Sequence, residues 1–275
     1  MGLFHYTDLH GLKGIVSQSE LWATNIFFLN DKEESHHGCR CFKNTVSQLG
    51  SDVIPENRKR TLLKSISDYE QSRMKGNFSP ERHVYSISFS KKKNKDKLSQ
   101  WRGYGNKQGV CIEFDQDKLT DFLNQTEMNC LADEVIYTTE KDTVAMSKKL
   151  KDFFIAQELN LLESNDHYTI MALSYHYLSQ MIPFFKNDAF SEEDEFRYVF
   201  TPRHVLPKVE FRVNDNGLIP YIVLGGKDGA KLPILSVVIG PVKDYEFVRE
   251  GVRMLLDANG YEHVEITPSV VPYRV

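Results

Sequence analysis

The chain has 275 residues, 41% of them hydrophobic and 26% charged, a composition that excludes intrinsic disorder and suffices for a sizeable core. A formal net charge of -4 excludes a bulk positive field, so a nucleic-acid or membrane partner would have to rely on a local basic patch. No window reaches the roughly 18 apolar residues of a membrane span. The opening MGLFHYTDLHGLKG carries neither a basic leader nor a long apolar run. The expectation is a soluble cytoplasmic protein with no membrane partner.

In chain order, β-branched and aromatic residues between turn formers predict strands at 3–7, 20–25, 84–90, 109–114, 133–138, 195–201, 207–213, 219–224, 234–240 and 263–268. Helical patterns cover 8–18, 30–49, 55–76, 115–126, 141–164, 166–182 and 243–259, the last starting near Asp244 and stopping at Gly260. No repeat, low-complexity tract or long linker divides them, so residues 1–275 read as a single domain. Strands dominate both ends and helices interrupt them, an α+β pattern with helical insertions at about 30–76 and 139–187. The Gly-rich, Asp-Gly-containing stretch LGGKDGAKLPILSVVIGP predicts a hairpin between 219–224 and 234–240. The four cysteines, Cys39, Cys41, Cys111 and Cys130, sit on differently patterned segments and read as reduced thiols.

The stretch FSEEDEFRYVF raises the functional question, because it drives four acidic residues into an aromatic strand. Alternation puts Phe196, Tyr198 and Phe200 on one face and Glu193, Glu195 and Arg197 on the other. The same rule groups Phe4 with Tyr6 against His5 with Thr7, and Tyr85, Ile87 and Phe89 against Ser86, Ser88 and Ser90. Two explanations stand side by side: an antiparallel sheet with one wet face, or three strands lining a cleft with serines, a histidine and a Glu-x-Glu. On the second, His5, Ser88 and Glu195 face one cleft.

Other clusters carry alternatives of their own. Asn30, Asp31 and Glu34 read as an N-cap with first-turn carboxylates, or as acidic ligands. His36, His37, Cys39 and Cys41 lack a second ligand pair at zinc-site spacing, so no metal is expected there. Gly103, Gly105 and Gly109 precede a strand instead of following one into a helix, which excludes a Rossmann or phosphate-binding-loop motif. They suit either a loop that offers backbone amides to a phosphate, with Trp101, Arg102 and Tyr104 for stacking and charge pairing, or a glycine turn beside a packed Trp. The run KKKNKDK at 91–97 is a solvated loop or a steering patch. No Gly-x-Ser-x-Gly elbow and no His-Glu-x-x-His helix is present.

Taken in order, FHYTDLHGLKGIVSQSELWATNIFFLND, YSISFS, LSQWRGYGNKQGVCIEF, EDEFRYVF, VVIGP and SVVPYRV resemble the bacterial domain-of-unknown-function family numbered 2971 over nearly the whole chain. A looser resemblance is to ADP-ribosyltransferases, whose split sheet carries a His or Arg on its first strand, a Ser- or Tyr-containing second strand and a late catalytic Glu. His5, the Ser86, Ser88 and Ser90 strand, and Glu193 and Glu195 occupy those places in that order. Arg197 directly after the Glu pair departs from the pattern, and no Tyr matches the nicotinamide-stacking position.

The resemblance implies a mixed, mostly antiparallel split sheet and an NAD-dependent ADP-ribosyltransferase-like enzyme. By analogy with small bacterial transferases it would be a toxin or phage-defence effector. Glu195 would stabilise an oxocarbenium-like state, Glu193, one strand repeat away, would orient the acceptor or the second ribose, and His5 would hold a ribose hydroxyl. Tyr6, Thr7, Ser88, Ser90, Trp101, Arg102, Tyr104 and Arg197 would contact the NAD, Arg197 by pairing with a phosphate or by holding the carboxylates ionised. The acceptor, protein or nucleic acid, is not specified. Two alternatives remain from other classes. One is a nucleic-acid or nucleotide recognition module built on Trp101, Arg102, Tyr104 and the 91–97 lysines. The other is a metal-dependent nuclease or hydrolase using Asp31, Glu34, Glu193 and Glu195.

Overall fold

A computed structural model describes residues 2–29, 33–51, 54–74, 83–91, 95–104, 108–139, 175–214, 217–226 and 229–271. The first half runs β1 (Gly2–Asp8), α1 (Leu9–Gln18), β2 (Glu20–Asn25), α2 (Glu34–Gln48), α3 (Glu56–Met74), β3 (Tyr85–Lys91), α4 (Leu98–Tyr104), β4 (Gly109–Asp115) and α5 (Gln116–Asn124). The second half runs β5 (Met128–Glu134), β6 (Ile136–Thr138), β7 (Phe185–Asn187), β8 (Glu195–Pro202), β9 (Glu210–Asn214), β10 (Gly217–Gly225), β11 (Ile234–Ile239), α6 (Tyr245–Ala258) and β12 (Glu265–Pro268). Short polar side chains start three of the helices. Asp8 accepts from the Gly11 amide at 2.8 Å, Asp115 from Lys118 at 3.1 Å and Asp244 from Phe247 at 3.0 Å, each satisfying a donor that the first helical turn leaves open.

The architecture is α+β with one large, mostly antiparallel sheet in the order β12-β11-β4-β1-β3-β2-β10-β9, where β8 also pairs with β3 and carries β5 on its far edge. Within it only β11 and β12 run parallel; β6 and β7 form a separate parallel pair. The sheet forks at β3. Its Lys91 end pairs with Leu3 and Phe4 of β1, whereas its Tyr85 end pairs with Thr24 and Asn25 of β2, so the two partners share one edge and part over Ile87, Ser88 and Phe89. On its other edge β3 is paired with β8 along Tyr85–Ser90 without a break.

Three cores result. The largest joins Leu3, Tyr85, Ile87, Phe89, Phe196, Tyr198 and Phe200 to α1, α5, α6 and the β4 and β11 strands. A second, built from α2, α3 and the 178–185 segment, closes on Val199 at the opposite face of β8. The described end of the 139–187 insertion therefore packs with α2 and α3. A small third core holds Phe4, Tyr6, Trp101, Cys111 and Val238.

Several expectations are corrected. Strands β10 and β11 are not a hairpin: β2 and β9 occupy both edges of β10, and β4 and β12 those of β11, so the two do not pair. The hairpin is β9–β10, with Gly217 at φ 132°, a conformation glycine adopts without a Cβ clash. The segment 133–138 divides at Val135 into the end of β5 and all of β6. The serial glycines of QWRGYGNKQG do not make a loop throughout, since Leu98–Tyr104 is helical and a single Gly is tolerated there. The predicted helices at 141–164 and over 166–174, and positions Asn30, Asp31, Gly105 and 92–94, lie outside the described residues.

Candidate functional site

A cleft of about 640 Å³ opens at the fork. Its floor follows from register, because directly opposed residues in an antiparallel ladder share a face. Phe4 opposes Ser90, Ser90 opposes Glu195, Ser88 opposes Arg197, and Ser86 opposes both Val199 and Thr24. Thr24 in turn opposes Tyr221, which opposes Glu210, two residues before Arg212. Trp22, Thr24, Ser86, Ser88, Ser90, Glu195, Arg197 and Arg212 therefore share one face and all line the cleft.

His5 enters differently. With Phe4 and Tyr6 on the serine side, His5 points to the other face, where its ring lies 5.5 Å from that of Phe89. The grouping of His5 and Thr7 with the serines is corrected by this register. His5 nonetheless lines the cleft, since β1 and β2 part beside it and its Nδ1 sits 3.1 Å from the Ser88 carbonyl, in the gap where a strand amide would otherwise bond. Burial pushes its pKa down, the Ser88 carbonyl opposes that, and the Arg212 charge adds to it.

At one end stands a buried charge cluster. All five N–H donors of Arg197 are used: Nε and Nη2 donate to the two Glu195 oxygens at 2.6 and 2.9 Å, Nη2 to Glu34 Oε2 at 3.0 Å, and Nη1 to Glu34 Oε1 and the Pro183 carbonyl. Lys186 Nζ bonds Glu193 at 2.5 Å and Glu195 at 3.4 Å, with Glu34 at 4.0 Å. Burial alone would raise the Glu195 carboxyl; the Arg197 and Lys186 charges outweigh it and hold Glu195 below the usual carboxylate value. For Glu193 burial prevails and the pKa is raised. Burial works against Arg197 too, but Glu195 and Glu34 keep it well above its ordinary value.

The cluster corrects three expectations. β8 is buried on both sides, so no wet face exists there, because α2 and the second core cover it. Glu193 is not one strand repeat from Glu195; it closes a 3-10 turn, Asp188–Glu193, and Asp194 at φ 45° redirects the chain between them. Arg197, 2% exposed with every donor engaged, has none to offer a phosphate.

Among the other predicted contacts, Tyr6, Thr7, Ser88, Ser90 and Tyr104 line the cleft. Trp101 does not: it is 3% exposed, packs edge-on to Tyr6 at 4.8 Å, and donates its Nε1 hydrogen to Asp96 at 2.7 Å. Its indole is core, as its large apolar area and single donor favour. Arg102 is exposed on α4, outside the cleft lining. The described lysines of the basic run face carboxylates: Lys91 meets Glu134 and Asp194, Lys95 meets Glu113, and Lys97 meets Glu192. Cys39 and Cys41 are buried in the second core, and among the described residues no group of three or more His, Cys, Asp or Glu is arranged to hold a metal ion.

Sequence reasoning missed Arg212, Trp22 and Lys186, and weighed Glu34 only as an N-terminal or acidic-ligand residue. Arg212 Nη2 donates to Thr24 Oγ1 at 2.9 Å, and its guanidinium lies 5.8 Å from the Tyr221 ring. Trp22 is 44% exposed and stacks on Tyr221 at 4.4 Å and 25°. Ser86 Oγ is buried with no hydrogen-bond partner. Strand alternation would have put Trp22 and Thr24 on one face; nothing local marks Arg212.

Residues 100–198 match the family model described as "Protein of unknown function (DUF2971)". That stretch is similar to the family over less than half of the chain. It agrees with the family that the sequence blocks resemble, and it contains Tyr104, Lys186, Glu193, Glu195 and Arg197, while His5, Trp22, Ser86, Ser88 and Arg212 lie outside it. No curated protein and no solved structure matches the chain.

Proposed function

We propose that the cleft takes NAD and that the protein transfers ADP-ribose from it to an acceptor. One observation carries this: the parting of β1 and β2 over Ser88 brings His5, the serine strand and the Glu193–Glu195 cluster to one cleft. The volume is that of a small-molecule site, and the exposed Trp22, the unpartnered Ser86 hydroxyl and the Arg212 guanidinium fit a base, a hydroxyl and a phosphate respectively.

In the reaction the ribose C1′–N bond of NAD breaks with its electron pair leaving on nicotinamide, the acceptor's lone pair bonds C1′, and the acceptor loses a proton. The protein's part is electrostatic. Three carboxylates, Glu34, Glu193 and Glu195, face two cations, Lys186 and Arg197, so the fully ionised cluster keeps one excess negative charge beside the cleft. Fixed charge of that sign favours positive charge developing on a ribose, and needs no reorganisation when it develops. Arg197 keeps Glu195 ionised for this purpose, while His5, held neutral by burial, orients a ribose hydroxyl through the gap.

A second function is favoured by a specific contact. Glu195 gives both oxygens to Arg197, which suits nucleotide recognition without catalysis. Incubation with NAD labelled in the nicotinamide ring separates the two. Release of free nicotinamide, lost in Glu195→Gln and His5→Ala, supports transfer; saturable NAD binding with no release supports recognition alone.

A further inference from the structure

We propose that Arg212, beside the Trp22–Tyr221 stack, is the phosphate-holding residue of the cleft, and that its ligand class is a nucleoside diphosphate or a larger molecule containing one. This rests on the nucleotide assignment of the cleft and extends it to a subsite. Arg212 is half-buried, and among the described residues no ion pair joins it to a carboxylate; its contacts are the Thr24 hydroxyl and the Tyr221 ring. The nearest acidic side chain on its own strand and face, Glu210, is bonded to Lys208 at 2.5 Å. Among the described residues, the other Lys and Arg side chains lining the cleft are engaged with carboxylates: Arg197 with Glu34 and Glu195, Lys186 with Glu193. An anion entering the cleft therefore finds its uncompensated positive charge at Arg212.

The surroundings specify more than an anion. Trp22, two residues from Thr24 on the same face, backs one side of its indole on the buried Tyr221 and leaves its exposed side for a base to stack on without regard to its edge. Directly across from Thr24, Ser86 is 2% exposed and its hydroxyl is unpartnered, which in a buried setting is unfavourable unless a ligand or water completes it. A guanidinium, two hydroxyls and an exposed indole within the four adjacent strands β3, β2, β10 and β9 match a phosphate attached to a base-bearing sugar. Burial lowers the Arg212 pKa without removing its charge at neutral pH, and an incoming phosphate would restore the partner that burial makes desirable.

The two tryptophans supply the readout, since Trp101 is core and Trp22 is exposed at the cleft. ADP, ADP-ribose, NAD and inorganic pyrophosphate are titrated into the full-length protein, followed by intrinsic fluorescence and calorimetry. ADP and ADP-ribose should bind and quench Trp22, and Arg212→Gln should weaken ADP by roughly 10- to 100-fold, with Arg212→Lys intermediate. If Arg212→Gln does not fold, as judged by circular dichroism, Trp22→Ala read by calorimetry replaces it and should weaken ADP about tenfold while leaving pyrophosphate alone nearly unchanged. Wild-type affinity for ADP in the folded Arg212→Gln or, in its place, the Trp22→Ala variant overturns the proposal, as does absence of ADP binding to wild type. ADP binding that needs Arg212, in a protein that releases no nicotinamide from NAD, sustains the subsite and removes the transferase function.

Discussion

Arg197 on β8 and Glu34 at the start of α2 lie 163 positions apart and meet side by side, with Nη2 donating to Oε2 at 3.0 Å and Nη1 to Oε1. The pair fastens the helical cover to the sheet at the mouth of the second core. Both partners are almost wholly buried, so removing one charge leaves the other buried and only partly compensated. Glu34→Gln should destabilise the protein by about 3–5 kcal/mol in urea unfolding. A Glu34→Gln/Arg197→Met double variant should lose less than the sum of the two single losses; a loss equal to that sum would show that the two act independently.

Glu195→Gln should affect stability and turnover together, in contrast to a purely chemical residue. The amide keeps the size, but one Glu195 oxygen is replaced by an NH₂ that faces Arg197 and Lys186, a donor toward donors. We expect a lower melting temperature and a fall of about 10²–10³ in NAD turnover by the folded protein. Turnover preserved at a temperature where the variant is folded would confine Glu195 to a structural part.

Much of the framework was legible from local pattern. β2 spans Glu20–Asn25 as expected, and Asp244 and Gly260 bracket α6 where their cap chemistry put them. The site was legible only in pieces. Alternation assigns faces within a strand, but which faces of two strands coincide depends on register, and there His5 and Ser88 parted company. Burial of a polar face depends on what covers it, and α2 lies far away in sequence from β8. Arg212 carries no local mark, since its meaning lies in the absence of a carboxylate that only three dimensions reveal.

Acid should weaken the protein over two pH windows. His5 has a lowered pKa, so between that value and the ordinary 6.5 the unfolded chain binds the proton and the folded chain does not. Its contribution is present above 6.5 and is lost as pH falls through that window. Glu195, also lowered, contributes stability above the ordinary 4.5 that disappears as pH falls through its folded value. Glu193, raised, works in the opposite sense, its contribution being greatest in acid. The gap in melting temperature between wild type and His5→Asn should narrow as pH falls below 6.5; parallel curves would show that His5 titrates alike in both states.

The burial of Trp101 gives a final test, one that separates core from cleft. A Cβ added at Gly240 would stand 2.8 Å from Cε3 and Cζ3 of the Trp101 ring and 2.9 Å from the Gly109 carbonyl oxygen, closer than carbon atoms tolerate. The Gly109 carbonyl cannot retreat, because it accepts the Gly240 amide hydrogen at 2.9 Å. The indole must move instead, against Phe4, Tyr6 and Cys111 and away from its hydrogen bond to Asp96. Gly240→Ala should therefore destabilise by about 1–3 kcal/mol, the usual penalty of overpacking a well-filled core, and should shift Trp101 emission. Trp101→Phe should restore part of the loss by freeing the space. Ligand affinity of the folded Gly240→Ala protein should stay near wild type, since Trp101 forms no part of the cleft lining. A tenfold fall in ADP affinity with unchanged stability would return Trp101 to the binding site.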